Sequence, residues 1–125
     1  MRGWICVKLT KLNIKKYRAP IYKYALANIN LRSAKSTNSS IITVIPQGAK
    51  MEVLDEEDDW IKVMYNSQEG YVYKELVSVS EYAWSNLNLR EDKSTTSNII
   101  TVIPEKSRVE VLQVDGDWSK VVYDD

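Results

Sequence analysis

The stretch Ile41-Ile42-Thr43-Val44-Ile45-Pro46 recurs letter for letter as Ile99-Ile100-Thr101-Val102-Ile103-Pro104. Both copies are short β-branched runs stopped by a proline, which reads as a strand followed by a turn. The match extends outward without a gap at a spacing of about 58 residues. Upstream, Asn28-Ile29-Asn30-Leu31-Arg32 answers to Asn86-Leu87-Asn88-Leu89-Arg90. Downstream, Glu52-Val53-Leu54, Asp59-Trp60, Lys62-Val63 and Tyr65 answer to Glu110-Val111-Leu112, Asp117-Trp118, Lys120-Val121 and Tyr123. Roughly 23 of about 41 aligned positions are identical, so one unit is written twice.

Within a unit, Asn28–Arg32 alternates, which puts Ile29 and Leu31 inward and Asn30 and Arg32 outward. Ser33–Ser40 is a polar loop, Pro46-Gln47-Gly48 a turn and Lys50–Leu54 a strand. Asp55–Asp59 reads as an acidic loop. Trp60–Tyr65 is a strand with Ile61, Val63 and Tyr65 on one face and Trp60, Lys62 and Met64 on the other. A hairpin turn at Asn66–Glu69 leads to a closing strand, Gly70–Tyr73. No long helix is expected. The fold class is all-β: tandem small, partly open barrels of about five short strands each.

The second copy stops at Val122-Tyr123-Asp124-Asp125 and lacks the closing strand. At the other end of the chain, Gly3-Trp4-Ile5-Cys6-Val7-Lys8-Leu9 matches Gly70-Tyr71-Val72-Tyr73-Lys74-Glu75-Leu76 in pattern. The expected organisation is a closing strand over 1–10, a basic linker over 11–23, repeat 1 over 24–78 and repeat 2 over 79–125. The spare strand Gly3–Leu9 is expected to complete repeat 2, within the chain or by exchange between molecules, which allows a homo-oligomer; the alternative is that the natural protein continues past Asp125. Such a start lies in the middle of an array, so Met1 is read as an internal translation start or an artificial boundary. The linker (Lys11, Lys15, Lys16, Arg18, Lys23) contains Pro20, which opposes a helix. It is read as solvated, with contact to teichoic or lipid phosphate as the alternative.

Composition narrows function. Lys+Arg and Asp+Glu both number 17 in 125 residues, so no net field draws the chain to nucleic acid. There is no His and one Cys. That removes the commonest general base, any Cys/His metal cluster, a Cys–His pair and an internal disulfide. No run approaches the ~20 apolar residues of a membrane span, and Met1–Thr10 lacks the apolar core of a signal peptide. Of the Asp55–Asp59 carboxylates only Asp59 recurs, as Asp117, with no partner base, so a glycosidase pair is not expected. Catalytic residues, metal and cofactors are therefore all expected to be none. Cys6 is read as a small core residue.

The order Asn-x-Asn-Leu-Arg, polar loop, Ile-Ile-x-x-Ile-Pro, Glu-Val-Leu, Asp-Trp-x-Lys-Val-x-Tyr and Gly-Tyr-Val resembles the bacterial SH3-like domain. The resemblance covers the chain except the linker. Two features depart from it: Leu76 and Leu9 stand where the family often has Tyr, and the loop after Arg32 lacks Gly-Pro. Proteins similar to this carry such domains in tandem beside the catalytic domains of phage endolysins and autolysins of Gram-positive hosts. The resemblance implies a non-catalytic module that binds cell-wall peptidoglycan or its stem peptide. The catalytic domain would then lie upstream, and the location would be extracellular at the wall, or cytoplasmic until lysis for a phage lysin. It also implies a groove between the polar loop and the loop before the Trp strand.

Candidate ligand-binding residues are Trp60 and Trp118, which stand opposite Val63 and Val121, with Asn30, Arg32, Asn88 and Arg90 as polar donors. Tyr71 and Tyr73 either line the groove or fill the barrel. The alternative function is a peptide-binding or oligomerising scaffold of an exported or spore protein.

Overall fold

The computed structural model describes residues 1–6, 9–10 and 21–124, with side chains described for all of these but 9–10. Its regular secondary structure is almost entirely β-strand. In chain order the strands are β1 (Arg2–Ile5), β2 (Leu9–Thr10), β3 (Ile21–Tyr24), β4 (Ile29–Arg32), β5 (Ile41–Ile45), β6 (Lys50–Glu57), β7 (Trp60–Tyr65) and β8 (Gln68–Tyr73). After a 3₁₀ turn at Lys74–Leu76 come β9 (Val79–Ala83), β10 (Leu87–Arg90), β11 (Ile99–Ile103), β12 (Arg108–Asp115) and β13 (Trp118–Val122). They form two compact units: Lys15–Ser78, and Val79–Asp125 together with Met1–Ile14. The chain is thus a pair of small all-β units, each with its own sheet and its own core.

In the Lys15–Ser78 unit the strand order is β3-β6-β7-β8-β4-β5. Alternation sends Ile29, Leu31, Ile61, Val63 and Val72 inward, where they pack with Ala25, Ile45, Met51 and Val77. Of the hexapeptide that marks the repeat, only Ile45 is fully buried. Ile41 and Val44 leave about half their surface exposed, because β5 is an edge strand paired only with β4.

The other unit has the order β11-β10-β1-β13-β12-β9-β2. It repeats the order of the first, with β1 in the place of β8, and adds β2 beyond β9. Arg2, Gly3, Trp4 and Ile5 pair antiparallel with Val122, Val121, Lys120 and Ser119, and Trp4 pairs with Arg90 on the far side. Ile5 is fully buried among Leu87, Leu89, Ile103, Val109 and Val121. The Met1 ammonium donates a hydrogen bond to the Tyr123 carbonyl at 2.7 Å. The place that β8 fills between β4 and β7 is filled here by β1, between β10 and β13.

Three expectations are corrected. The acidic stretch is not a loop: β6 runs on to Glu57, and only Asp58 and Asp59 form the turn. The ladder to β7 satisfies its backbone across a register shift after Val53. Its side chains are engaged with lysines, Glu56 3.9 Å from Lys23 and Glu57 3.0 Å from Lys35. Lys23 is not in a solvated linker. Strand β3 starts at Ile21, and Lys23 is buried with its Nζ donating to the Ser78 carbonyl at 3.1 Å. The rest of the expected linker, residues 11–20, lies outside the described residues. Cys6 is exposed rather than in the core. Ile5 takes the inward position, and the next residue must point away.

Candidate ligand-binding cleft

The strands that build the first core also aim a second set of side chains outward. Asn30 and Arg32 alternate with Ile29 and Leu31 on β4, Trp60 and Lys62 with Ile61 and Val63 on β7, and Tyr71 and Tyr73 with Gly70 and Val72 on β8. Register then decides which of them meet. Trp60 is paired with Tyr73, and their rings touch edge to face with centroids 5.5 Å apart at 75°. Beyond Tyr73 the Lys74 N–H donates to the Asp59 carbonyl at 2.8 Å, and the 3₁₀ turn brings Leu76 alongside. Asn30, Arg32, Thr37, Trp60, Tyr73 and Leu76 line an open cleft of about 200 Å³.

The polar loop forms one wall and is held by its own backbone. Ser39 Oγ donates to the Ala34 and Ser36 carbonyls at 3.0 and 2.6 Å, and Arg32 Nη1 donates to the Ser39 carbonyl at 2.9 Å. Arg32 therefore braces the loop and lines the cleft at once. At the loop's tip the Lys35 ammonium donates to Glu57 Oε1 at 3.0 Å, tying the loop to the β6–β7 hairpin. That hydrogen bond, reinforced by the charge of Glu57, raises the Lys35 pKa above its ordinary value.

The cleft lining contains one cation, one amide, one aliphatic hydroxyl, two aromatic rings, one of them a phenol, and an aliphatic side chain. It contains no carboxylate or thiol. Such a set can stack on a flat ring or peptide plane and hydrogen-bond carbonyl or carboxylate oxygens. It supplies neither a general acid–base pair nor an activated nucleophile.

Of the sequence-derived candidates, the structure brings Trp60, Asn30, Arg32 and Tyr73 together. Tyr71 stands two rungs away, paired with Lys62 and Arg32, and is not in the cleft lining. Thr37 and Leu76 were not among those candidates. Thr37 is indistinguishable from its neighbours in a polar loop, and Leu76 gains its place from the 3₁₀ turn. In the second unit Arg90 Nη1 braces its loop through the Ser97 carbonyl at 2.8 Å, as Arg32 does. Trp118 starts β13 as Trp60 starts β7, and Asn88 sits on β10 as Asn30 does on β4.

The family model described as Bacterial SH3 domain matches residues 27–78 and again residues 85–125. The chain belongs to the bacterial SH3 domain family. Among curated proteins, the chain is similar to the Bacillus subtilis (strain 168) protein named "Putative N-acetylmuramoyl-L-alanine amidase YrvJ". It is 25% identical over an alignment of 115 positions that covers 75% of this chain and 22% of that protein. The chain thus spans about a fifth of the length of that relative. Two solved structures, NlpC2 and NlpC1 from Trichomonas vaginalis, align over 88% and 92% of this chain and 48% and 44% of theirs. They share 12% and 16% identity, with TM-scores of 0.37 and 0.38, too low for the superposition to carry an argument.

Proposed function

We propose that this chain is a non-catalytic cell-wall-binding region that holds a peptidoglycan hydrolase, such as a phage endolysin or autolysin, on the bacterial wall. The observation that carries the reading is the Trp60–Tyr73 cleft with Asn30 and Arg32 on its wall and no acid–base pair in it, in a chain of the bacterial SH3 family. The ligand would be peptidoglycan or its stem peptide. Trp60 and Tyr73 would take an apolar face, and Asn30 and Arg32 would meet carbonyl or carboxylate oxygens. Similarity to a protein named as an amidase supports a hydrolase as the parent. The site of action would be the wall outside the cell.

The test is sedimentation with purified Gram-positive cell walls, followed by a zymogram of the same chain. The chain should pellet with the walls and leave no cleared zone. A chain that stays in the supernatant would refute wall binding, and a cleared zone would refute the non-catalytic assignment.

A further inference from the structure

The two bacterial SH3 units carry the same loop, the same arginine and the same outward Trp, yet their closing strands come from different parts of the sequence. In the first unit β8 places Tyr73 opposite Trp60. In the second, Ile5 pairs with Ser119 as Val72 pairs with Ile61, so the next rung sets Cys6 where Tyr73 stands in the first. A thiol replaces a phenol ring, so this position offers Trp118 no ring of the kind that Tyr73 gives Trp60. The exposure of the flanking amide follows suit: Asn30 is half-buried, whereas Asn88 is exposed.

The second unit does have a ring on this strand, Trp4, but two rungs further along, where the first has Tyr71. That ring is already engaged. The Lys93 ammonium lies 5.0 Å from its centroid while pairing with Asp115. A cation held over an indole in this way is worth keeping, and a ligand would have to displace it.

We infer that the units are not interchangeable: the Trp60–Tyr73 cleft is the chain's principal ligand site, and Tyr73, answered by Cys6 in the other unit, is the residue that sets the difference. This rests on the wall-binding reading above. The second unit contributes a weaker contact that gains only through its tether to the first.

The experiment measures binding of the full chain to purified peptidoglycan for wild type and for Tyr73→Cys, Trp60→Ala, Trp118→Ala and Cys6→Tyr, with circular dichroism to verify folding. Tyr73→Cys makes the first cleft like the second and should weaken binding about tenfold, as should Trp60→Ala. Trp118→Ala should weaken it about twofold. Cys6→Tyr installs the missing wall at an exposed position and should tighten binding several-fold. Equal losses for Trp60→Ala and Trp118→Ala, or a folded Tyr73→Cys chain that binds like wild type, would overturn the inference while leaving wall binding intact. Wild type that fails to bind peptidoglycan would instead overturn the wall-binding reading and the inference with it.

Discussion

Gly3 lies against the carbonyl oxygen of Arg90 so closely that a Cβ added to it would stand 2.5 Å from that oxygen; Gly70 has the same relation to Arg32, at 2.7 Å. Leucine and isoleucine methyls crowd both positions from the other side at 3.0 Å. The obstacle is backbone, so the strands must separate to admit a methyl group. Gly3→Ala and Gly70→Ala should each destabilise their own unit by roughly 1–3 kcal/mol, the usual cost of overpacking. Thermal unfolding followed by residue-resolved hydrogen exchange would show which unit loosens. Equal loosening of both units by one substitution would contradict the assignment of β1 and β8 to separate cores.

Removing residues 1–6 should unfold the Val79–Asp125 unit and spare Lys15–Ser78. The truncation removes the buried Ile5, worth roughly 1.5–3 kcal/mol, and uncovers the facing edges of both β10 and β13. Amide spectra should retain dispersed signals for Leu31, Ile61 and Val72 and lose those for Leu89, Ile103 and Val121. A truncated chain that melts like the parent would show that β1 is dispensable.

The turn after each hexapeptide gives a third test. The Gly48 N–H donates to the Ala25 carbonyl at 2.8 Å, and the Lys106 N–H donates to Ala83 in the same way at 2.8 Å. Both residues have positive φ, 84° and 71°, but only one is glycine. A left-handed residue with a Cβ costs roughly 1–2 kcal/mol, partly offset by the greater unfolded-state entropy of glycine. Lys106→Gly should therefore stabilise its unit by about 1 kcal/mol or less, and Gly48→Lys should destabilise the other by a similar amount. Denaturant midpoints at unchanged slope would measure both.

Lys35 predicts a loop that responds to alkali. Its pKa is raised in the folded state by the hydrogen bond to Glu57, so the stabilisation is complete below the unfolded value of about 10.4 and disappears as pH rises through the folded one. Protection of the Ser33–Ser40 backbone should hold from neutrality to about pH 10 and decline beyond it. Lys35→Met should remove that step at high pH. A decline near pH 8 would point to a different group.

Much of the architecture was legible because a repeat reports its own boundaries. Identity without a gap aligns β4, β5, β6 and β7 with β10, β11, β12 and β13, and alternation along β4 and β7 is enough to point Asn30, Arg32 and Trp60 outward. Telling Tyr73 from Tyr71 was not possible that way, since both alternate outward; only the pairing of Trp60 with Tyr73 separates them. Residue type misled at three places. Cys6 has the composition of a core residue but sits out of phase with Ile5. Asp55, Glu56 and Glu57 look like a loop, but a hairpin asks only for their backbone. Lys23 looks solvated, but a carbonyl and a carboxylate receive its ammonium group.

The pairing of Trp4 with Lys120 has a kinetic side as well. A ribosome delivers β1 well before its neighbour β13, so β1 must wait through all the intervening strands before that partner exists. The Lys15–Ser78 unit faces no such delay, for all its strands are in hand once Ser78 is out. Contacts so distant along the chain close slowly. During synthesis these residues should therefore pass through a stage with one finished barrel and one orphaned strand, and of the two units the one bearing Trp118 should be the later to gain protection from proteases.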